Sequence, residues 1–146
     1  APWPRNERSP LAGVKSTSYG ENVAALAHAR ARGCGEALLA NTVGMLCEGT
    51  GSNVFVVLDG RLVTPPLSAG CLAGVTRDLV VELTGAAEED VPMEALAEAE
   101  EVFLTSTSRA VQGVHELDGR AMHAPGPVTA RARSALAELT DRTFEP

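Results

Sequence analysis

Lys15 is the only lysine in the chain, and the other eleven of its twelve basic side chains are arginines. The difference is chemical. Arginine stays protonated and supplies a fixed charge, whereas a lysine amine can shed its proton and attack a carbonyl carbon. A compositional bias that replaces Lys by Arg would leave one survivor by chance, and on composition alone that is the simpler reading. Context moves the balance. Lys15 follows Leu11-Ala12-Gly13-Val14, an apolar approach that predicts a desolvated amine held in its neutral, nucleophilic form. The other reactive residue types give less. Cys34, Cys47 and Cys71 are odd in number and widely spaced, so neither a metal knuckle nor a redox dithiol is predicted. They read as small buried hydrophobes in a reducing compartment. His28, His115 and His123 lack ligand spacing, and no metal site is expected.

The elements that must position Lys15 alternate between helix and strand. Ser16 to Ser18 supply capping hydroxyls for an alanine-rich helix over about residues 21–32, which Gly33 stops. Residues 36–40 and 45–48 read as strands joined by a turn at 41–44. That places Glu48 near a sheet end, where a solvent-facing carboxylate is the plain expectation. Residues 53–58 and 61–64 flank Asp59-Gly60, a pair suited to a tight primed turn, and Pro65-Pro66 ends the second strand. Gly70 and Gly74 lie in the loop before a helix over 75–83, where Leu79, Val80 and Leu83 follow helical spacing. A short helix is predicted over 93–100. A strand at 102–104 leads into the hydroxyl-rich turn Thr105 to Ser108, followed by a strand at 110–116, an Asp118-Gly119 turn and a closing helix at 127–139 with Arg131 and Arg133 on its polar face. This order predicts an α+β or mixed α/β domain without repeats.

Five strings occur in a telling order: Leu11-Ala12-Gly13-Val14-Lys15; Glu48-Gly49-Thr50-Gly51-Ser52-Asn53-Val54-Phe55; Thr64-Pro65-Pro66; Leu72-Ala73-Gly74-Val75-Thr76-Arg77; and Val102-Phe103-Leu104-Thr105-Ser106-Thr107. Each alone is weak, but five in sequence over most of the chain are not. On these strings the chain resembles the class IV, fold-type IV pyridoxal-phosphate-dependent aminotransferase family, which includes branched-chain and D-amino-acid aminotransferases and aminodeoxychorismate lyase. The resemblance implies the large C-terminal domain of the D-amino-acid aminotransferase-like fold, with pyridoxal 5'-phosphate as cofactor and an amino acid or aminodeoxychorismate as the small-molecule substrate. It implies Schiff-base chemistry at Lys15, the catalytic residue, which would also move protons at the substrate carbon. Glu48 would pair with the pyridine nitrogen and favour its protonated form. Val75 and Thr76 would bind the phosphate at a glycine-preceded helix start, where free N–H groups and the helix dipole suit an anion, although Thr76 also reads as a plain cap. Thr107 would add a hydroxyl contact to the same phosphate, and Ser108 and Arg109 would face the substrate carboxylate.

Some positions depart from the family pattern. Tyr19 is similar to a tyrosine near the cofactor's phenolic oxygen in branched-chain enzymes, but stands one residue closer to the lysine. Ala73 replaces a common proline, and Ala110-Val111-Gln112-Gly113 departs from the Glu-Ile-Thr-Pro of transaminases. That ending tilts the expectation slightly toward an aminodeoxychorismate lyase, with a D-amino-acid or branched-chain transaminase as the alternative. A rival of another class is a catalytically silent domain serving as a binding or assembly module.

At 146 residues the chain has the length of one domain. It opens Ala1-Pro2-Trp3-Pro4, so residues 1–10 are expected as a linker from a missing N-terminal domain and residues 11–146 as the cofactor-binding C-terminal domain. The family further implies a homodimer, and a small N-terminal domain that contributes an arginine to the phosphate site. Nineteen acidic against twelve basic residues give a net charge of -7, which argues against general nucleic-acid binding. No apolar run reaches membrane-spanning length and no signal segment is seen, so a cytoplasmic protein without a membrane partner is expected.

Overall fold

The computed structural model describes residues 1–144. Its centre is a five-stranded sheet in the order β5-β4-β3-β6-β7. Strand β3 (Asn53–Leu58) pairs antiparallel with both β4 (Arg61–Thr64) and β6 (Glu101–Ser106), β6 pairs antiparallel with β7 (Ala110–Gly113), and β5 (Ala87–Glu88) joins β4 in parallel. The sequences NVFVVL and EVFLTS of β3 and β6 are apolar at successive positions rather than alternate ones, because the sheet is covered on both faces.

One face packs Val54, Val56, Val102 and Leu104 against Leu46, Val91 and Leu96. The other packs Phe55 and Phe103 against Val80 of α2 (Val75–Thr84) and against Ala132 and Leu136 of α3 (Pro127–Phe144). Phe55 and Phe103 are opposite in register, and their rings stack 4.8 Å apart. The register also sets Asn53 opposite Thr105, so the start of β3 and the end of β6 share one edge of the domain, on the helix-facing side of the sheet.

Around this core lie α1 (Gly20–Arg30), the hairpin of β1 (Leu38–Ala40) and β2 (Leu46–Gly49), and a small hairpin of β8 (Glu116–Leu117) and β9 (Arg120–Ala121). Helix α1 lays its small face, Ala25 and Ala29, on Ala37 and Leu39. The turns expected at Asp59-Gly60 and Asp118-Gly119 form with positive φ at both residues of each pair, as a primed turn requires.

The mixed α/β architecture is as expected, with local differences. The cap of α1 is Tyr19 without a side-chain bond, and the Ser16 hydroxyl accepts from the Ser18 N–H instead, closing a loop before the helix. Residues 93–98 form a 3-10 run rather than an α-helix, and β7 ends at Gly113 because Glu116 and Leu117 pair locally across the Asp118-Gly119 turn. The strand expected from residue 36 is confined to β1, while α3 continues beyond residue 139 to Phe144. Among the described residues no helix is long and apolar enough to cross a membrane.

Candidate active site

A cavity of about 200 Å³ opens at the edge defined by Asn53 and Thr105. Lys15, Glu48, Val75, Thr76 and Thr107, drawn from four separate stretches of sequence, all line it. Ser108 and Arg109 do not. Arg109 instead lines an adjoining, shallower groove with Tyr19 and Glu36.

Lys15 sits in the loop between a turn at residues 11–14, closed by the Val14 N–H donating to the Leu11 carbonyl, and the start of α1. The apolar approach does not desolvate it within this chain. Leu11 and Val14 are more than half exposed, and Lys15 itself is exposed at the cavity rim.

Glu48 behaves in the opposite way. Instead of facing solvent from a strand end, it is 8% exposed on the fully buried strand β2. Its Oε1 accepts from Arg5 Nη2 at 2.8 Å and its Oε2 accepts from the Leu72 N–H at 2.9 Å. Burial pushes its carboxyl above the usual carboxylate range, and the Leu72 N–H and the Arg5 guanidinium only partly offset this. The same Leu72 is held from its other side, since Asn53 Nδ2 donates to its carbonyl at 2.7 Å. Glu48 and Asn53 therefore fix the loop that delivers Gly74 to the start of α2.

Helix α2 begins uncapped. Its N-cap is Gly74 in an extended conformation, no side chain caps the first turn, and the first intrahelical bond runs from the Asp78 N–H to the Gly74 carbonyl. Thr76 is thus not the cap, and the N–H groups of Val75 and Thr76 have no side-chain acceptor at the cavity they line. A side chain at Gly74 would overlap Asn53 Oδ1, so only glycine lets helix and sheet approach this closely. Arg77, 2% exposed, anchors the helix by donating to the Pro65 carbonyl and pairing with Glu88.

Arg109 is already engaged. Its Nη2 meets Glu36 Oε2 at 2.7 Å, and Thr50 and Ser52 hydroxyls donate to the same carboxylate. This network ties the turn after β6 to the Gly49–Ser52 turn, across the cavity's wall.

Several site residues were invisible to the sequence reading. Arg5 falls within the stretch expected as a linker, yet residues 1–10 pack on the domain: the Arg5 N–H bonds the Ala40 carbonyl, Glu7 accepts from Thr42, and Arg5 also donates to Asn22. Asn22 in turn donates to the Thr50 carbonyl. Nothing in local spacing announces a partner 43 positions away. Thr105 had a usable signal, the period-two alternation that puts it on the Phe103 side of β6. Cys47 and Cys71 are buried as expected, and burial pushes both thiols up, Cys71 to about 11. Among the described residues no cluster of three or more His, Cys, Asp or Glu is arranged to hold a metal ion.

Three buried side-chain polar atoms lack a partner among the described residues: Arg5 Nε, Arg77 Nε and Thr105 Oγ1. Two of the three belong to residues lining this cavity, one near Glu48 and one on the α2 side. Buried polar groups are normally satisfied, which sets these two apart.

The model of the amino-transferase class IV family matches residues 1–117, and the chain belongs to that family. It is 36% identical over 95% of its length to a probable branched-chain-amino-acid aminotransferase of Synechocystis sp., of which it covers 48%. Among solved structures, a branched-chain aminotransferase from Thermobaculum terrenum in its PLP-form superposes with a TM-score of 0.89 at 34% identity, over 95% of this chain and 48% of that one. A putative 4-amino-4-deoxychorismate lyase from Legionella pneumophila superposes with a TM-score of 0.90 at 27% identity, over 94% of this chain and 53% of that one. The chain therefore spans about half the length of the proteins it resembles.

Proposed function

We propose that this chain is the cofactor-holding part of a pyridoxal-phosphate-dependent enzyme acting on an amino-acid-like substrate, with Lys15 as its catalytic amine. The observation that carries the reading is that the sole lysine, the buried Glu48 and the uncapped start of α2 line one cavity. The residues fit the group. An aldehyde needs an amine, a pyridine nitrogen needs a carboxylate, and a phosphate needs free N–H donors, and the cavity offers each. The unpartnered Thr105 hydroxyl beside the cavity supports a polar occupant as well.

When bound, pyridoxal phosphate supplies an electron sink for charge developing at the substrate's amino carbon. The rest falls to the chain. Lys15 would hold the cofactor through its aldehyde and, once freed by the substrate amine, would move a proton at the substrate's amino carbon. Glu48, held by Arg5 and Leu72, keeps a proton on the pyridine nitrogen. Val75 and Thr76 N–H groups and the Thr107 hydroxyl receive the phosphate. The exposure of Lys15, Leu11 and Val14 supports a cover supplied by a further domain or by a second subunit. Closure would then exclude water from the amine.

Two reactions share these residues. The names of the relatives favour transfer of a branched-chain amino group. Elimination from aminodeoxychorismate keeps the support of the turn after Thr107, which replaces the transaminase string and ends on Ala110 at a φ of 52°. The test is a titration with pyridoxal phosphate followed by absorbance, then product assays with branched-chain amino acids, D-alanine and aminodeoxychorismate. A yellow band present in the wild type and lost in Lys15→Ala is expected. No band in either protein contradicts the proposal and favours a silent module.

A further inference from the structure

Among the described residues four threonines are buried: Thr50, Thr64, Thr105 and Thr129. Three of them spend their hydroxyls inside the fold. Thr64 Oγ1 donates to the Val54 carbonyl at 2.7 Å, Thr129 Oγ1 to Glu101 Oε2 at 2.7 Å, and Thr50 Oγ1 to Glu36. Thr105, only 1% exposed, is the exception, because its Oγ1 has no partner among the described residues. A hydroxyl taken out of water and left unpaired is costly, so the fold keeps it there against its own stability unless something else accepts the bond.

Position says what that acceptor is. Thr105 stands opposite Asn53 on the helix-facing side of β6, and it lines the cavity together with Val75, Thr76 and Thr107. Asn53 in turn abuts Gly74, the residue from which α2 starts without a cap. The unpaired donor and the unpaired helix N–H groups therefore border the same end of one cavity. Donors converging without an intramolecular acceptor suit an anion with several oxygens.

We infer that Thr105 is a further ligand of the anionic group seated at the start of α2, donating its hydroxyl to a phosphate oxygen and so selecting phosphorylated over unphosphorylated ligands. The inference rests on the proposed pyridoxal-phosphate reading for the identity of that group. Thr107 reaches the group from the exposed turn, whereas Thr105 does so from the buried strand β6. A fixed donor costs little further ordering when the anion arrives.

The experiment compares dissociation constants for pyridoxal phosphate and for pyridoxal, which lacks the phosphate, in wild type, Thr105→Val and Thr105→Ser. Thermal unfolding of each apoprotein is recorded alongside. Valine keeps the branched shape and removes the donor. Pyridoxal phosphate should bind Thr105→Val about tenfold more weakly, a charge-assisted bond's worth, with pyridoxal affinity unchanged. Serine should keep most of the preference. The valine apoprotein should melt no earlier than wild type, because an unsatisfied hydroxyl has been replaced by a methyl group. Should the valine variant not fold, Thr105→Ala reads the same ratio. A preference for the phosphorylated ligand that survives loss of the hydroxyl overturns the Thr105 assignment alone, as does an equal loss for both ligands. A wild type that binds neither, or does not distinguish them, overturns the cofactor reading itself and the assignment with it.

Discussion

Arg5 Nη2 and Glu48 Oε1 meet at 2.8 Å, joining the N-terminal segment to β2, with only 18% and 11% of the two side chains exposed. A carboxylate this deep depends on its cation, because desolvation outweighs what a single backbone N–H returns. Arg5→Met should therefore destabilise the domain by about 3 kcal/mol, the usual cost of stranding one member of a buried pair. Adding Glu48→Gln should recover most of the loss. Chemical unfolding of both single variants and the double variant measures this coupling, and additive losses would contradict it.

Glu48 also makes a pH prediction of two opposite signs. Its folded-state carboxyl is raised above 4.5 by burial, so its ionised form is penalised in the folded domain. That penalty is relieved as pH falls through the raised value, and the apoprotein gains stability from Glu48 on acidification down to about 4.5, the unfolded value. Pyridoxal-phosphate affinity should move the other way over the same range, since a protonated Glu48 cannot pair with a protonated pyridine nitrogen. Glu48→Gln should flatten both profiles, read by thermal unfolding and by cofactor titration from pH 4 to pH 8.

Glu101 gives the reverse case. Burial alone would raise its carboxyl, but donations from the Thr129 N–H and hydroxyl and from the Val128 N–H outweigh burial and hold it below 4.5. It thus caps α3 from a neighbouring strand, and the stability it contributes is present above pH 4.5 and lost as pH falls through its lowered value. Glu101→Gln should cost about 1–3 kcal/mol at pH 7. Unfolding curves against pH should show the gap to wild type closing below pH 4.5, and a gap independent of pH would contradict the assignment.

Glu36 and Arg109, 2.7 Å apart, decide what the turn after β6 does. If the pair locks the turn, Glu36→Gln and Arg109→Gln should each weaken substrate and cofactor binding, and the double variant should lose little more than either. Were Arg109 instead held in reserve for a substrate carboxylate, Glu36→Gln would free it and lower KM. Steady-state kinetics with a carboxylate-bearing amino substrate separates the two, and the paired geometry predicts no fall in KM.

What sequence could disclose follows from the range of the interactions. The hairpins at Asp59-Gly60 and Asp118-Gly119 and the helix after Gly74 were legible because local turn chemistry and helical spacing determine them. The cavity-lining set of Lys15, Glu48, Val75, Thr76 and Thr107 was legible only through the ordered strings that resemble a family, since no spacing rule links positions so far apart. Arg5 stayed hidden because its value lies wholly in a long-range pairing. The exposure of Lys15 was misjudged for a related reason: apolar neighbours in sequence shield an amine only if something packs over them, and Leu11 and Val14 are uncovered in this chain.

The account turns on whether one amine condenses with an aldehyde, and the composition makes that unusually easy to ask. Lys15 is the sole lysine, so incubation with pyridoxal phosphate, borohydride reduction and peptide mass spectrometry has a single side-chain target. The prediction is a stoichiometric phosphopyridoxyl adduct on the peptide containing Lys15, absent from Lys15→Arg. Reduction that leaves Lys15 unmodified while Glu48 and the start of α2 remain folded would contradict it.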